Sequence, residues 1–377
     1  MRRAKTGCTC LKTSGTIGIS KGKAEDMTKP ERVLTALGGG APDCVPYMYS
    51  AIMGDVQEKI VAGNFTSEPI LDGFVFNGWL GSIGEMPDVA PALTVLPETA
   101  RALELDAIGI QILPPLFVDA VNASTGRFIK GGQITGAEAL RKIKMPDPDD
   151  PALYREIGRM IGRYKQEFAL YARIRLGASP TLLSMGIVNF SFCLADEEDT
   201  VAGVIELYTE WSRRVSLNLS ELDFDFFWCF DDIAFSTGML FSPQVFRRYF
   251  KEPMKRAASG IKKPFIYHSD GDFSLVLDDI IEIGAGGLHP IEPGSMDSAW
   301  LKGRYGGKLC LIGNIDIDEF LTNGTPETVD AEVRRRINQL GPGGGYIISD
   351  SNSVPSCCKA ENIIAMSRAV EKYRYIY

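Results

Sequence analysis

Histidine is scarce in this chain: 377 residues hold only two, His268 and His289, so imidazole chemistry can fall at two places only. Cysteine is sparse too, at eight, and forms no paired framework. Cys8-Thr9-Cys10 and Cys357-Cys358 are too tight to bridge easily within themselves, and a reducing cytoplasm is the simpler setting. No apolar run reaches the roughly 20 residues of a membrane span. Cations are not in excess: 40 Lys and Arg against 48 Asp and Glu leave a net charge of −8. That argues against nucleic acid or an anionic membrane as the main partner. No Ser or Cys nucleophile stands in a triad-like spacing with His and an acid. Residues 1–26 lack the apolar stretch of a secretory signal. Basic and rich in Ser, Thr and Gly, they read as a disordered extension, with Cys8 and Cys10 as bystanders rather than metal ligands.

What the chain does have, from about Met27 onward, is one repeating grammar. Short β-rich runs alternate with long amphipathic ones. Eight runs read as strands: Cys44–Tyr49, Ala107–Leu113, Thr181–Gly186, Phe224–Phe230, Phe265–Tyr267, Gly287–Ile291, Leu309–Gly313 and Gly345–Ile348. Between them lie helix candidates at Pro97–Leu105, Ala152–Leu176, Glu197–Leu222, Gln244–Ile261, Phe273–Ile283, a run from Pro326 to Leu340, and Ala360–Tyr373. Ser242-Pro243 and Thr325-Pro326 supply an N-cap followed by proline at the first helical position. Gly284 and Gly341-Pro342 close two of the helices. Eight strands alternating with helices predict an α/β fold, a (β/α)8 TIM barrel formed as a single domain over residues 27–377. A doubly wound open sheet is the runner-up. Two connections are unusually long, Ser50–Leu96 after the first strand and Pro114–Pro151 after the second. Such lengths suit lids or binding loops.

In a barrel the chemistry sits where strands end. Residues at or just past the eight strand ends are polar: Tyr49 and Ser50, Gln111, Ser184 and Asn189, Asp231 and Asp232, His268 and Asp270, His289 and Glu292, Asn314 and Asp316, then Ser349, Asp350 and Asn352. His268-Ser269-Asp270-Gly271 stands out among them. At a spacing of two on a strand end, an imidazole and a carboxylate can face one ligand, as a zinc or general acid–base pair. The bland alternative has Asp270 capping the next helix. Asp231-Asp232 suits either acid chemistry or backbone capping. The glycines at 343–345 precede a strand rather than a helix, so they read as a turn and not a phosphate cradle.

These junctions carry a resemblance. From about Lys29 the chain resembles the uroporphyrinogen decarboxylase superfamily. The matching pieces are Pro30-Glu31-Arg32-Val33-Leu34, Pro42-Asp43-Cys44-Val45-Pro46, Asp231-Asp232, Ser242-Pro243, His268-Ser269-Asp270-Gly271 and His289-Pro290-Ile291-Glu292-Pro293. Gly313-Asn314-Ile315-Asp316, Gly343-Gly344-Gly345-Tyr346-Ile347 and Glu361-Asn362-Ile363 complete them. The resemblance implies the same barrel. It fits true uroporphyrinogen decarboxylase poorly. That enzyme gathers a polycarboxylate, whereas Lys59 is the only cation here between Val33 and Ala100 and the rim is acidic.

The other branch is the corrinoid-dependent methyltransferases, and it implies a methyl group moved from a small methoxylated or methylated donor to the cobalamin of a partner corrinoid protein. Zinc-binding members of that branch use a His-x-Cys pair and a later Cys. Here Asp270 replaces the first Cys and Asn352 falls near the second. The expectation is an O-demethylase type, with His268, Asp270 and Asp232 catalytic. Tyr47, Met48, Tyr49, Asn189, Asp231, His289, Glu292 and Asn352 are expected to contact substrate, with Phe190 as a further aromatic candidate. If zinc is held, His268 and Asp270 are its expected ligands. The rivals are a decarboxylase of a small, weakly anionic substrate, which a cation such as Arg127 or Lys130 on the lid would favour, and a degenerate ligand-binding barrel.

Overall fold

The computed structural model describes residues 27–61, 79–123 and 126–377; the extension at 1–26, with Cys8 and Cys10, lies outside them. Its centre is one curled sheet of eight strands. In chain order these are β1 (Ala92–Leu93), β2 (Ala107–Gln111), β3 (Ala169–Ile174), β4 (Phe226–Phe230), β5 (Phe265–His268), β6 (Gly287–His289), β7 (Cys310–Ile315) and β8 (Tyr346–Asp350). Each strand pairs with the next. β2 to β8 run parallel and β1 is antiparallel to β2. β2 to β8 are buried on both faces, as parallel sheets are, so their sequences carry little alternation.

The segment expected as the first strand, Cys44–Tyr49, forms no ladder of its own. It makes one parallel bridge, Tyr47 to Ile348. Around it Ile348 N donates to Pro46 O at 2.9 Å, and Asp106 N, just ahead of β2, donates to Tyr47 O at 2.8 Å. The segment expected as the third strand, Thr181–Gly186, is helical within Ala178–Met185. The third parallel strand is instead β3, which the sequence reading placed inside a helix spanning Ala152–Leu176. That helix stops at Tyr164. The turn at Lys165-Gln166-Glu167 holds neither Gly nor Pro, and Phe168 and Tyr171 happen to continue the 3.6-residue spacing. A buried strand and a buried helix segment look alike by periodicity.

Other elements match. Ser242 Oγ accepts from Val245 N at its helix start, and Thr325 and Thr328 form a reciprocal cap. The last helix is Ala360–Tyr373. The long second connection forms a hairpin arm, Leu116–Ala123 with Gly126–Gly132. The first holds a short helix, Gly54–Val61. No single described helix is long and apolar enough to cross a membrane.

Two apolar layers position everything else. Between sheet and helices lies a broad layer that includes Tyr47, Tyr49, Ile108, Leu170, Phe227, Leu288, Leu311 and Ile348. On the concave side lie Met48, Ala107, Ala169, Tyr171, Phe226, Trp228, Phe230, Ile266, Cys310, Ile312 and Ile347. Val33, Ala36 and Leu37 of the helix Lys29–Leu37 join this second layer and plug it from the strands' N-terminal end. There Asp106, 1% exposed, bonds Arg32 Nη1 at 2.6 Å, Tyr47 N at 2.8 Å and the Arg374 guanidinium. The opposite end of the concave side carries the polar strand ends.

Candidate functional site

Alternation along the strands decides which side chains reach the concave side. His268 follows Ile266 on β5 by two residues, so it faces inward, one level above the apolar floor. His289 is its neighbour on β6 in register. The two rings stack with centroids 4.9 Å apart, and their Nδ1 atoms lie 2.6 Å apart. His268 also stacks on Phe230 at 4.2 Å, and Trp228 meets His289 edge-on at 4.8 Å. Both imidazoles are almost wholly buried. Burial lowers the pKa of each, with Asp232 opposing the fall at His268. Both rings are therefore neutral at pH 7.

The other nitrogen of His268, Nε2, faces two acids. Asp232 Oδ1 and Asp270 Oδ1 each lie 3.5 Å from it. One ligand atom from each of the three residues falls within 4.8 Å of the others. The loop geometry explains the convergence. Asp270 N donates to Asp232 Oδ1 at 3.2 Å, Asn352 Nδ2 donates to Asp270 Oδ2 at 2.6 Å, and Gly271 N donates to Glu292 Oε2 at 2.6 Å. Asp270 Oδ1 is left without a hydrogen-bond partner. Gly271 has φ 79°, and a Cβ there would stand 2.1 Å from Phe235 O, so this tight turn needs glycine. The helix-cap reading of Asp270 does not hold: Ser274 N is bonded by Asp272, and Asp270 turns inward.

The two acids are held in opposite states. Crowding away from water, then the charges of Asp232 and Glu292, push Asp270 well above the usual carboxylate range. Desolvation also acts upward on Asp232, but hydrogen bonding to His268, the charge of Arg175 and the bond from Asp270 N outweigh it and hold Asp232 at about 2. Two neighbouring carboxyls with one proton between them is the expected outcome of like charges at close range. An imidazole nitrogen and two carboxylate oxygens also suit a small divalent cation.

The remaining expected residues divide. Met48 is buried in the concave layer, and Glu292 and Asn352 belong to the site through Gly271 and Asp270. Tyr47 and Tyr49 do not line it. They face the sheet–helix layer, bonded hydroxyl to hydroxyl at 2.9 Å, with Tyr49 also on Met366 Sδ. One residue of register separates them from Met48, enough to reverse the face. The Asp231 carboxylate is taken up by Ser179 N at 2.7 Å and by Leu176 N, and so caps the helix Ala178–Met185. Asn189 Nδ2 bonds Ile134 O at 3.1 Å, and Phe190 packs on Phe241 and Phe250. Ser184, on a helix and not a strand end, bonds Phe117 N and Tyr208. Lys130 is exposed on the hairpin arm, and the Arg127 side chain lies outside the described ones.

The sequence reading missed Arg173. It lies on β3 opposite Gln111 and Trp228, wholly buried, its guanidinium 3.8 Å from the centroid of the Phe230 ring. The signal was there: Tyr171, Arg173 and Arg175 alternate with Ala172 and Ile174, a period of two. Asp350, at the end of β8, is also wholly buried. Burial raises it to about 8, with Ser349 and backbone bonds acting against the shift.

Comparison with known proteins adds three findings. The sequence model of a family described as Uroporphyrinogen decarboxylase (URO-D) matches residues 131–373. The chain is 25% identical over 134 residues to "Methylcobamide:CoM methyltransferase MtaA" of Methanosarcina barkeri, a match that spans 36% of this chain and 38% of that relative. In structure it resembles a "methyltransferase from Methanosarcina mazei" with a TM-score of 0.67 at 17% identity, covering 92% of this chain and 99% of the other. That likeness speaks to the fold.

Proposed function

The chain belongs to the uroporphyrinogen decarboxylase (URO-D) family, and from that premise we propose that it moves a methyl group from a small methoxylated or methylated compound to a partner corrinoid protein. The observation that carries this reading is the convergence of Asp232, His268 and Asp270 at one inward-facing strand end. The partial similarity to a methylcobamide methyltransferase supports it. We also read residues 46–48, which bond β8 on one side and the start of β2 on the other, as the strand that completes a (β/α)8 barrel. A cytoplasmic setting belongs to the same reading.

In this mechanism the partner's corrinoid supplies the nucleophile. The chain's own residues deal with the leaving atom. An alkoxide or phenoxide leaves poorly unless it is protonated or bound to a Lewis acid. Asp270, whose carboxyl is pushed well above the usual carboxylate range, would give its proton to the leaving oxygen from Oδ1. Asp232, ionised, holds His268 in place, and Asn352 fixes the Asp270 carboxyl by its other oxygen. If zinc is bound, Asp232, His268 and Asp270 would hold it, and it would supply the Lewis acidity instead. The donor set fits, because Asp270 Oδ1 has no hydrogen-bond partner. The O-demethylase type follows from a hard, oxygen-rich site without thiolate.

The second reading is decarboxylation of a small acid, which Arg173 favours as a wholly buried inward cation opposite Trp228. Purified protein supplied with cob(I)alamin and a panel of methyl ethers and methylamines separates the two. Methylcobalamin formation that His268→Ala or Asp270→Ala lowers by about 10²–10⁴ supports methyl transfer. The double variant should be little worse than either single one, since groups acting as a unit are non-additive. Carbon dioxide release without methylcobalamin would replace this reading by the second.

A further inference from the structure

The concave side holds a wholly buried charge that the site above does not use. Arg173 is 0% exposed, and none of Nε, Nη1 and Nη2 has a hydrogen-bond partner among the described residues. Its one close contact of note is the Phe230 ring at 3.8 Å. A buried guanidinium with five N–H donors and no acceptor is costly. Neighbouring inward side chains share the condition. Gln111 Oε1 and Trp228 Nε1, which flank Arg173 in register on β2 and β4, are also buried and unpartnered. So is Asn314 Oδ1 on β7. A packed core does not normally leave neighbouring inward polar atoms such as those of Gln111, Arg173 and Trp228 unsatisfied. They describe a surface prepared for a polar guest. The same Phe230 ring is stacked on His268 at 4.2 Å, so this level adjoins the reacting one.

We propose that Arg173 receives a carboxylate of the substrate, so that the compound taken up is a small monocarboxylic acid with its acid group at Arg173 and its reacting end at His268 and Asp270. This rests on reading the strand-end cluster as the substrate site. The planar fork of a guanidinium matches a carboxylate through two parallel bonds. One guanidinium without a hydrogen-bond partner calls for one carboxylate; Arg175, two residues on, already bonds Phe230 O. Asp232, ionised and close enough to act on Arg173, opposes a second carboxylate. Gln111 Oε1 offers an acceptor and Trp228 Nε1 a donor to further polar groups on the same guest. Phe230, held between Arg173 and His268, sets the span from the acid end to the reacting end.

Binding can be read without turnover. The protein's melting temperature is measured with 3-methoxybenzoate against 3-methoxybenzamide, and with acetate against acetamide, at constant ionic strength. Wild type should be stabilised by at least one acid at a concentration about tenfold lower than its amide. Arg173→Met should lose that preference. It should also melt no lower than wild type, since it removes a buried charge that lacks a partner. Arg173→Lys should keep the preference in weakened form, and it decides the matter if the Met variant does not fold. The proposal is overturned if wild type does not discriminate either acid from its amide, or if the Met variant discriminates as wild type does. A preference for acids without methylcobalamin formation would leave this inference standing and remove methyl transfer. Methyl transfer from neutral ethers with no acid preference would do the reverse.

Discussion

The Nδ1 atoms of His268 and His289 stand 2.6 Å apart, so one proton must lie between them, given by one ring and accepted by the other. If His268 gives it, its Nε2 carries a bare lone pair between Asp232 and Asp270, the state a cation requires. In that state His289 sets the tautomer of the residue that meets the reacting group.

The first prediction concerns that pair. His289→Phe removes the acceptor and keeps a ring of similar size. Zinc or cobalt(II) affinity, measured by calorimetry, should fall about 10–100-fold, the usual effect of deleting an outer partner of a metal-bound histidine. His289→Gln, which restores an acceptor, should recover part of it. Unchanged affinity in the Phe variant would show that His289 only packs.

The second concerns the turn beneath Asp270. Gly271→Ala places a Cβ 2.1 Å from Phe235 O at a φ of 79°. The turn must shift, and Asp270 with it. Loss of cation binding with an unchanged far-ultraviolet circular dichroism spectrum is expected. Retention of full affinity would mean that the turn does not position the carboxylate.

The third is a pH dependence. Burial raises Asp350 to about 8 in the folded chain, against about 3.9 when unfolded. Between those values the folded state binds more protons than the unfolded state, so this residue lowers stability as pH rises from about 4 to about 8. Asp350→Asn removes the term. Urea unfolding should show the variant gaining on wild type across that range, by on the order of a few kcal/mol at pH 8, and matching it near pH 4. A constant difference at all pH values would contradict the assignment.

The fourth lies at the far end of the sheet. Asp106 ties Arg32 of the first helix to Arg374 near the C-terminus. Asp106→Ala leaves two guanidiniums short of a partner and should cost about 3–5 kcal/mol in denaturant unfolding. Zinc binding by the folded variant should not change, because the tie and the strand-end cluster sit at opposite ends of the strands. Weakened zinc binding would show that the two ends are coupled.

Much of this was legible in the residues. The strands at 226–230, 265–268, 287–289, 310–315 and 346–350 announce themselves as apolar runs between helices with clear caps, since caps and breakers act locally. His268, Asp270 and Asp232 were legible for the same reason: strand ends are short-range features. Tyr47 and Tyr49 were not, because which face a residue takes depends on one step of register against β8. Asp231 and Asp232 are adjacent and alike, yet one caps a helix and the other faces His268.

Sequence by itself determined, to within two residues, where the strands of the second half end and which polar residues stand there, because local backbone preferences and short apolar runs decide both. Only the tertiary structure decided that β3 is a strand, since burial on both faces erases the alternation that separates strand from helix. It alone brought His289 onto His268 and Arg173 beneath them. Contacts between neighbouring parallel strands join residues tens of positions apart, and no local pattern encodes them.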